Sequence, residues 1–214
     1  MRKLIDEPWV LFGIIGISLL LVGCSTHIRP QPKFVWSEMA DSKIAGKLAL
    51  YISPVVAQSV AKSSPTDEFQ HKDLMIGRAT AELVRQACLS AFQKVVVFDK
   101  LPDSEKLKNS GFRGIFKVDS ILTIINMPQS SNKGDSISYS DISIRLGIYC
   151  SADDFLIKKD IPSSFGPDGQ YGKRISGDDI KRIDEVLKDL SERILKESGT
   201  NIAQSLVNIY GARP

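Results

Sequence analysis

The chain begins with a short apolar run that limits which part of it can form a folded body. Arg2 and Lys3 come first, and an apolar core of mostly Val, Leu, Ile, Phe and Gly follows over residues 9–22. A basic start followed by such a core is the layout of a secretory signal. The run holds about 14 residues, fewer than the roughly 20 that a membrane-spanning helix needs. We therefore expect residues 1–23 to be a cleaved signal peptide, so the fold is built from the rest.

The end of this signal resembles the lipobox, the lipidation motif of bacterial lipoproteins. Leu21, Val22 and Gly23 precede Cys24, with a branched residue at the first of these positions and a small one at the last. The resemblance implies a diacylglycerol on the Cys24 sulfur, cleavage before this residue and an acyl chain on its new amino group. Ser25 resembles the default signal for the outer membrane, so the implied location is the periplasmic face of that membrane. The alternative is a chance cysteine beside an ordinary signal peptidase site.

The mature chain has the size and composition of one globular domain. Hydrophobic residues make up 43% and charged residues 25%, with a formal net charge of +3. These values are ordinary and give no indication of nucleic-acid binding. Pro30, Pro32 and the lack of a regular pattern predict a lipidated tether over residues 24–42. We expect a single α+β domain over residues 43–214.

Apolar periodicity divides this domain into strands and two long helices. Strands are expected over residues 48–52, 95–98, 114–126, 142–148 and 155–157, and helices over residues 72–93 and 180–209. Gly199 costs about 1 kcal/mol in a helix interior, which predicts a kink or break in the last helix. The element order predicts an α+β fold, with a mixed four- to five-stranded sheet and two long helices packed on one face.

Four further residues are candidates for covalent or binding roles. Cys88 lies in the apolar phase of the first helix and Cys150 ends a strand, so in an oxidising compartment they form one possible disulfide. Each is equally accounted for as a small buried hydrophobe. Phe165 and Tyr171 lie in a loop rich in Gly and Pro and are candidate partner contacts. The alternative is that these two aromatic side chains pack against the domain.

The residues that catalysis needs are sparse in this sequence. His27 lies beside the anchor and His71 is alone before a helix, without metal-ligand spacing. The chain has no nucleophile elbow, zinc-protease motif, phosphate-binding loop or dinucleotide-binding glycine pattern. The acidic pairs at 153–154 and 178–179 are explained by a turn and a helix start. We expect no enzyme, cofactor or metal site, with a hydrolase built from carboxylates distant in sequence as an alternative.

The order of elements over residues 43–210 resembles a domain shared by several envelope lipoproteins. These are the curli-secretion and exopolysaccharide-export ring lipoproteins and the penicillin-binding-protein activators, together with the amino-terminal domain of the Tol-system propeller protein. The resemblance implies a non-catalytic accessory subunit of an envelope assembly or export machine, anchored through Cys24. It implies an envelope protein partner and allows a homo-oligomer. The alternative is a lipid or glycan carrier of the lipopolysaccharide-translocon type, although Ser25 and Thr26 do not match the Gly-Phe start of that family.

Overall fold

The computed structural model confirms the α+β fold, with a mixed sheet and two long helices. The structure describes residues 26–34, 43–63, 71–127, 138–152, 157–160, 164–165, 173–175 and 182–211. The predicted signal peptide and Cys24 lie outside these ranges.

Ten strands and four helices are formed by the described residues. The strands are β1 (Thr26–Ile28), β2 (Ile44–Ile52), β3 (Ala61–Lys62), β4 (Lys72–Leu74), β5 (Phe92–Phe98), β6 (Phe112–Asn126), β7 (Ser138–Ala152), β8 (Ile157–Asp160), β9 (Ser164–Phe165) and β10 (Lys173–Ile175). The helices are α1 (Pro54–Ala57), α2 (Ile76–Ala91), α3 (Ser104–Asn109) and α4 (Ile183–Tyr210).

The larger sheet has the order β10-β7-β6-β2-β5. Strand β2 lies between β5 and β6 and is parallel to both, and α2 is part of the connection between β2 and β5. Strands β6 and β7 form a long antiparallel ribbon. Three short strands, β10, β9 and β8, follow one another along the outer edge of β7, each antiparallel to it. Strands β6, β7 and β8 therefore form an antiparallel meander, and β8 overlaps the last strand expected from the sequence at Ile157.

The hydrophobic core lies between one face of this sheet and the helices α2 and α4. Alternate residues of the strands, such as Leu48 and Leu50 of β2, are buried beneath the helices, as the period of two requires. Helix α2 buries the face that the sequence predicts, including Leu83 and Cys88. The other face of the sheet carries a small second cluster centred on Ala49, beneath the short helix α3.

The first long helix starts later than its sequence pattern predicts. Residues Lys72–Leu74 form strand β4 instead of a first helical turn, because they pair with β1 on one side and β3 on the other. The helix then begins at Ile76. Gly77 lies so close to the backbone of α1 that a Cβ atom there would overlap the Val56 carbonyl oxygen. These long-range contacts, which periodicity does not report, fix where α2 starts.

Residues 26–34, which we call the docked segment, lie on the folded body rather than in an extended tether. Their first three residues form β1, and Ile28 and Pro30 are buried. The Gln31 backbone N–H donates to the Glu192 carboxylate of α4 at 2.8 Å. The folded body therefore includes part of the predicted tether 24–42, in addition to the residues from Lys43 onwards.

Helix α4 is continuous over Ile183–Tyr210, so the break predicted at Gly199 is absent. Gly199 is buried, and a Cβ atom there would lie 2.8 Å from Cδ2 of Phe34. The missing side chain leaves room for the Phe34 ring, which packs against the core. This glycine is therefore explained by close packing of the docked segment.

Candidate functional site

The candidate residues predicted from the sequence fall in three different places. Cys24 and Tyr171 lie outside the described residues, so lipidation and the Tyr171 contact stay predictions. Phe165 lies in β9, and its backbone is in register with Ile144 of β7. Cys88 and Cys150 are both in the core between α2 and the sheet.

The two cysteines belong to a buried cluster with Tyr210 of α4. Both are present as thiols, and the Cys150 sulfur lies 3.3 Å from the Tyr210 hydroxyl oxygen. That hydroxyl donates to the Ser151 carbonyl oxygen. The possible disulfide between Cys88 and Cys150 is not formed in this structure.

Burial lowers the reactivity of the thiol and phenol groups in this cluster. The pKa of Cys88 is raised well above its ordinary value, first by desolvation and then by the neighbouring Cys150 sulfur. The pKa of Tyr210 is raised as well, mainly by desolvation. A thiol reacts as its thiolate, so a raised pKa keeps Cys88 protonated and weakly nucleophilic. The cluster is therefore suited to packing and hydrogen bonding.

Both histidines are held by neighbours in the structure. His27 belongs to β1, where its Nδ1 atom lies 3.5 Å from a carboxylate oxygen of Asp73. The Nδ1 atom of His71 lies 2.8 Å from the Ser63 carbonyl oxygen. Within the described ranges, no three His, Cys, Asp or Glu side chains are grouped so as to hold a metal ion. The structure therefore fixes His27, which the sequence places in a tether.

The face of the sheet opposite the long helices is covered over only part of its area. Near the start of β6, Leu107 of α3 packs on Ala49 and Ile115. Further along β6, Leu122 and Ile124 are 53% and 47% exposed. These residues are two apart, so they share one face of the strand. We call Leu122 and Ile124 the exposed patch.

The exposed patch lies where β6 has passed the end of its neighbour β2. The last register pair of these strands is Ile52 with Val118, and the β6–β7 pairing is irregular between Val118 and Ser120. Beyond that point, Leu122 is in register with Arg145 of β7.

Strand β9 pairs with β7 at the level of the exposed patch. Arg145 is in register with Leu122 on one side and with Ser164 on the other. Phe165 is a candidate partner contact in the sequence. The structure brings its backbone to the region of the sheet that contains Leu122.

Sequence reasoning did not single out Leu122 and Ile124. They belong to the apolar run 121–125, in which both faces of the strand carry apolar residues. A strand with water on one face normally alternates apolar and polar residues. The run is thus a detectable signal, but it does not tell a doubly buried strand from one with an exposed apolar face.

A second exposed feature is the strand β5, which ends the hydrogen-bonded order of the larger sheet. Among the described strands it pairs with β2 alone. It carries the run Val95–Val96–Val97, and Val97 is 52% exposed. Edge strands of this kind present backbone donors and acceptors to another chain.

No helix in the described ranges is both long enough and apolar enough to cross a bilayer.

Comparison with known proteins identifies no family for this chain. No family model matches it, and no curated protein matches it. Protein XCC0632 from Xanthomonas campestris, of the family DUF330, has 11% identity and a TM-score of 0.42, covering 86% of this chain and 95% of that chain. A neuraminyllactose-binding hemagglutinin homolog from Helicobacter pylori has 11% identity and a TM-score of 0.39, covering 84% of this chain and 96% of that chain. Both TM-scores lie below the level at which a shared fold follows.

Proposed function

We propose that this chain is a lipid-anchored envelope protein that binds a protein partner without catalysing a reaction. The lipobox ending at Cys24 supports the anchor. The exposed patch supports the binding role and is the observation that carries it. The partner is an envelope protein, and the chain acts as an accessory subunit of an assembly or export machine.

The exposed patch has the chemistry of the apolar centre of a small interface. Leu122 and Ile124 each have about half of their surface in water. Full burial of such a side chain contributes roughly 1.5–3 kcal/mol, so covering the exposed halves of both contributes about 1.5–3 kcal/mol in total. That corresponds to about 10- to 150-fold in affinity. The patch therefore has a measurable effect on binding.

A lipid or glycan carrier is the alternative function, and the interior of the domain favours surface binding over it. A carrier needs a ligand-sized cavity, most naturally between the helices and the sheet. Large side chains fill this region. Those that are fully buried include Phe92, Phe116, Leu48, Leu50, Leu83, Leu187 and Leu190.

A hydrolase is the second alternative. The buried thiol of Cys88 and the phenol of Tyr210 have raised pKa values, which oppose their use as nucleophiles at neutral pH. The cluster that they form is held in place by packing and by the bond from Tyr210 to the Ser151 carbonyl. The thiol and the phenol therefore have a packing role in this domain.

The patch is tested by photo-crosslinking in the native membrane. A photoreactive residue replaces Leu122 in one protein and Leu101 in a matched control. Leu101 is 54% exposed, nearly the same as Leu122, and it lies in the loop before α3. We expect a discrete adduct with one envelope protein from position 122 and none from position 101. Equal adducts from both positions would contradict the assignment of the patch.

A pair of substitutions tests the same surface without a crosslinker. The double variant Leu122→Asp and Ile124→Asp places charge on the exposed patch. We expect its affinity for the crosslinked partner to fall at least 30-fold, whereas the affinity of the Leu101→Asp control should stay close to that of the wild type.

The anchor is tested separately by Cys24→Ser. We expect this change to abolish incorporation of radiolabelled palmitate and to release the protein from the membrane fraction.

A further inference from the structure

The predicted anchor and the first ordered strand are almost adjacent in the chain. Only Ser25 separates Cys24 from Thr26, where β1 begins. A chain spans at most about 3.3–3.6 Å per residue, so the two residue steps reach about 7 Å. A free tether ending at Lys43 would reach about 60 Å by the same rule. Docking of residues 26–34 therefore shortens the connection to the membrane severalfold.

The docked segment is held along its whole length. Thr26 is in register with Lys72 of β4, and the Met75 backbone N–H donates to the Ile28 carbonyl oxygen at 2.8 Å. Gln31 donates to Glu192, and Phe34 packs over Gly199. Because these contacts involve both β4 and α4, the start of β1 has a fixed position on the folded body.

That position is beside the first turn of α4, and we call this end of the described part of the fold the anchor end. The Lys72 ammonium, next to Thr26 in the register, lies 2.8 Å from the Asp184 carboxylate in the first turn of α4. The last residue of α4, Tyr210, contacts the Ser151 carbonyl near the start of β6. A helix of 28 residues is about 40 Å long. Tyr210 therefore marks the distal end.

The exposed patch lies towards the anchor end. Helix α2 begins there, directly after β4, and its Gly77 N–H donates to the Ser59 carbonyl just beyond the end of β2. Strand β6 is parallel to β2 and passes that end at Val118. Leu122 and Ile124 follow, so they lie beyond β2 in the direction of the anchor.

We propose that the lipid on Cys24 holds the anchor end of the domain against the bilayer surface, with the distal end pointing away from it. The exposed patch then faces partners close to the lipid headgroups. The partner of the proposed function is accordingly a protein that presents its binding site at the surface of the same membrane. This inference rests on the proposed lipid anchor at Cys24.

Fluorophores at the two ends test the orientation. The acylated full chain carries Lys62→Cys in one protein and Gln93→Cys in the other, each labelled with an environment-sensitive dye. Lys62 is exposed in β3, across β4 from His27, and Gln93 is exposed in β5 at the distal end. Cys88 and Cys150 are buried and stay unlabelled in the folded protein. Each protein is reconstituted into phosphatidylethanolamine and phosphatidylglycerol vesicles that contain a lipid with a nitroxide at the headgroup.

We expect the nitroxide to quench the dye at position 62 and to leave the fluorescence of the dye at position 93 unchanged. Intact mass confirms the acyl chains on each sample first. Acylated protein with equal quenching at both positions would overturn the orientation while leaving the anchor in place. Protein without acyl chains at Cys24 would overturn the proposed anchor and this inference with it.

A second variant tests whether the short connection is the cause. A 20-residue Gly/Ser linker is inserted between Ser25 and Thr26, which leaves the docked segment intact. Such a linker has a root-mean-square length of about 25 Å. We expect it to remove most of the quenching at position 62. Unchanged quenching would overturn the argument from the length of the connection.

Discussion

The fit of Phe34 over Gly199 predicts an unusual reversal in the effect of one substitution. Gly→Ala in a helix interior ordinarily stabilises a protein by about 1 kcal/mol, because alanine has the higher helix propensity. At Gly199 the added methyl group would lie 2.8 and 2.9 Å from two ring carbons of Phe34 and 3.2 Å from Cδ1 of Leu83. Overpacking of this kind costs about 1–3 kcal/mol. We therefore expect Gly199→Ala to lower the free energy of unfolding by about 1 kcal/mol.

Removal of the ring should change the sign of this effect. Phe34→Ala alone should cost about 2 kcal/mol, roughly half the value for a fully buried phenylalanine, because Phe34 is half-buried. In the Phe34→Ala background the methyl group added by Gly199→Ala meets no ring. The substitution should then raise the free energy of unfolding by about 1 kcal/mol. The coupling between the two sites is then about 2 kcal/mol, which is well above the error of a double-mutant cycle.

Urea denaturation of the protein from Ser25 onwards measures all four members of this cycle. Asn201→Ala is the matched control, because Asn201 is exposed in the same helix. It should stabilise by a few tenths of a kcal/mol in both backgrounds, with a coupling near zero. If Gly199→Ala stabilises the protein while Phe34 is present, the Phe34 ring does not occupy this site and residues 26–34 do not pack on α4.

Three further outcomes follow from the buried cluster around Tyr210. Gly114→Ala would put a Cβ atom into the Tyr210 hydroxyl and the Ser151 carbonyl, so it should cost at least about 3 kcal/mol in urea denaturation. The pKa values of Cys88 and Tyr210 are raised in the folded state, so these groups lose their protons at lower pH in the unfolded chain. The free energy of unfolding therefore falls as the pH rises through the pKa values of the unfolded chain. From pH 7.5 to 9.5 under reducing conditions the fall should be at least about 1 kcal/mol, and Cys88→Ala should make the fall smaller by about 1 kcal/mol, whereas a flat profile would contradict the burial of this thiol. Maleimide labelling after denaturation without reductant should modify both Cys88 and Cys150, and no modification would show that the disulfide forms.

The elements that were predicted correctly are those with a strong local pattern. The parallel unit β2-α2-β5 has two apolar runs around a helix of clear period, and the ribbon of β6 and β7 contains the clearest alternation in the chain. The last helix keeps its apolar phase over 28 residues. In each case, burial of one face by the rest of the fold agrees with what the local sequence favours.

The elements that were missed depend on partners distant in sequence. Strands β1, β3 and β4 have only two or three residues each, and pairing with one another is what makes them strands. From the sequence, Gly199 predicts a break in the helix. The residue is a glycine because the Phe34 ring packs against it, and Phe34 is distant in sequence. The exposure of Leu122 could not be predicted, because the sequence does not show how far β2 extends beside β6.

The docked segment also sets the order in which this chain can complete its folding. Gln31 and Glu192 are 161 residues apart in sequence, so their contact closes a very long loop. In the export that we propose for this chain, the amino-terminal residues emerge first and α4 emerges last. Contacts of such long range are formed slowly, because the loss of chain entropy comes before the gain in packing. On the proposal that Cys24 is acylated, the new lipoprotein passes through a period in which Thr26–Ile28 and the following residues are accessible to sorting factors, and this period ends when the last helix packs.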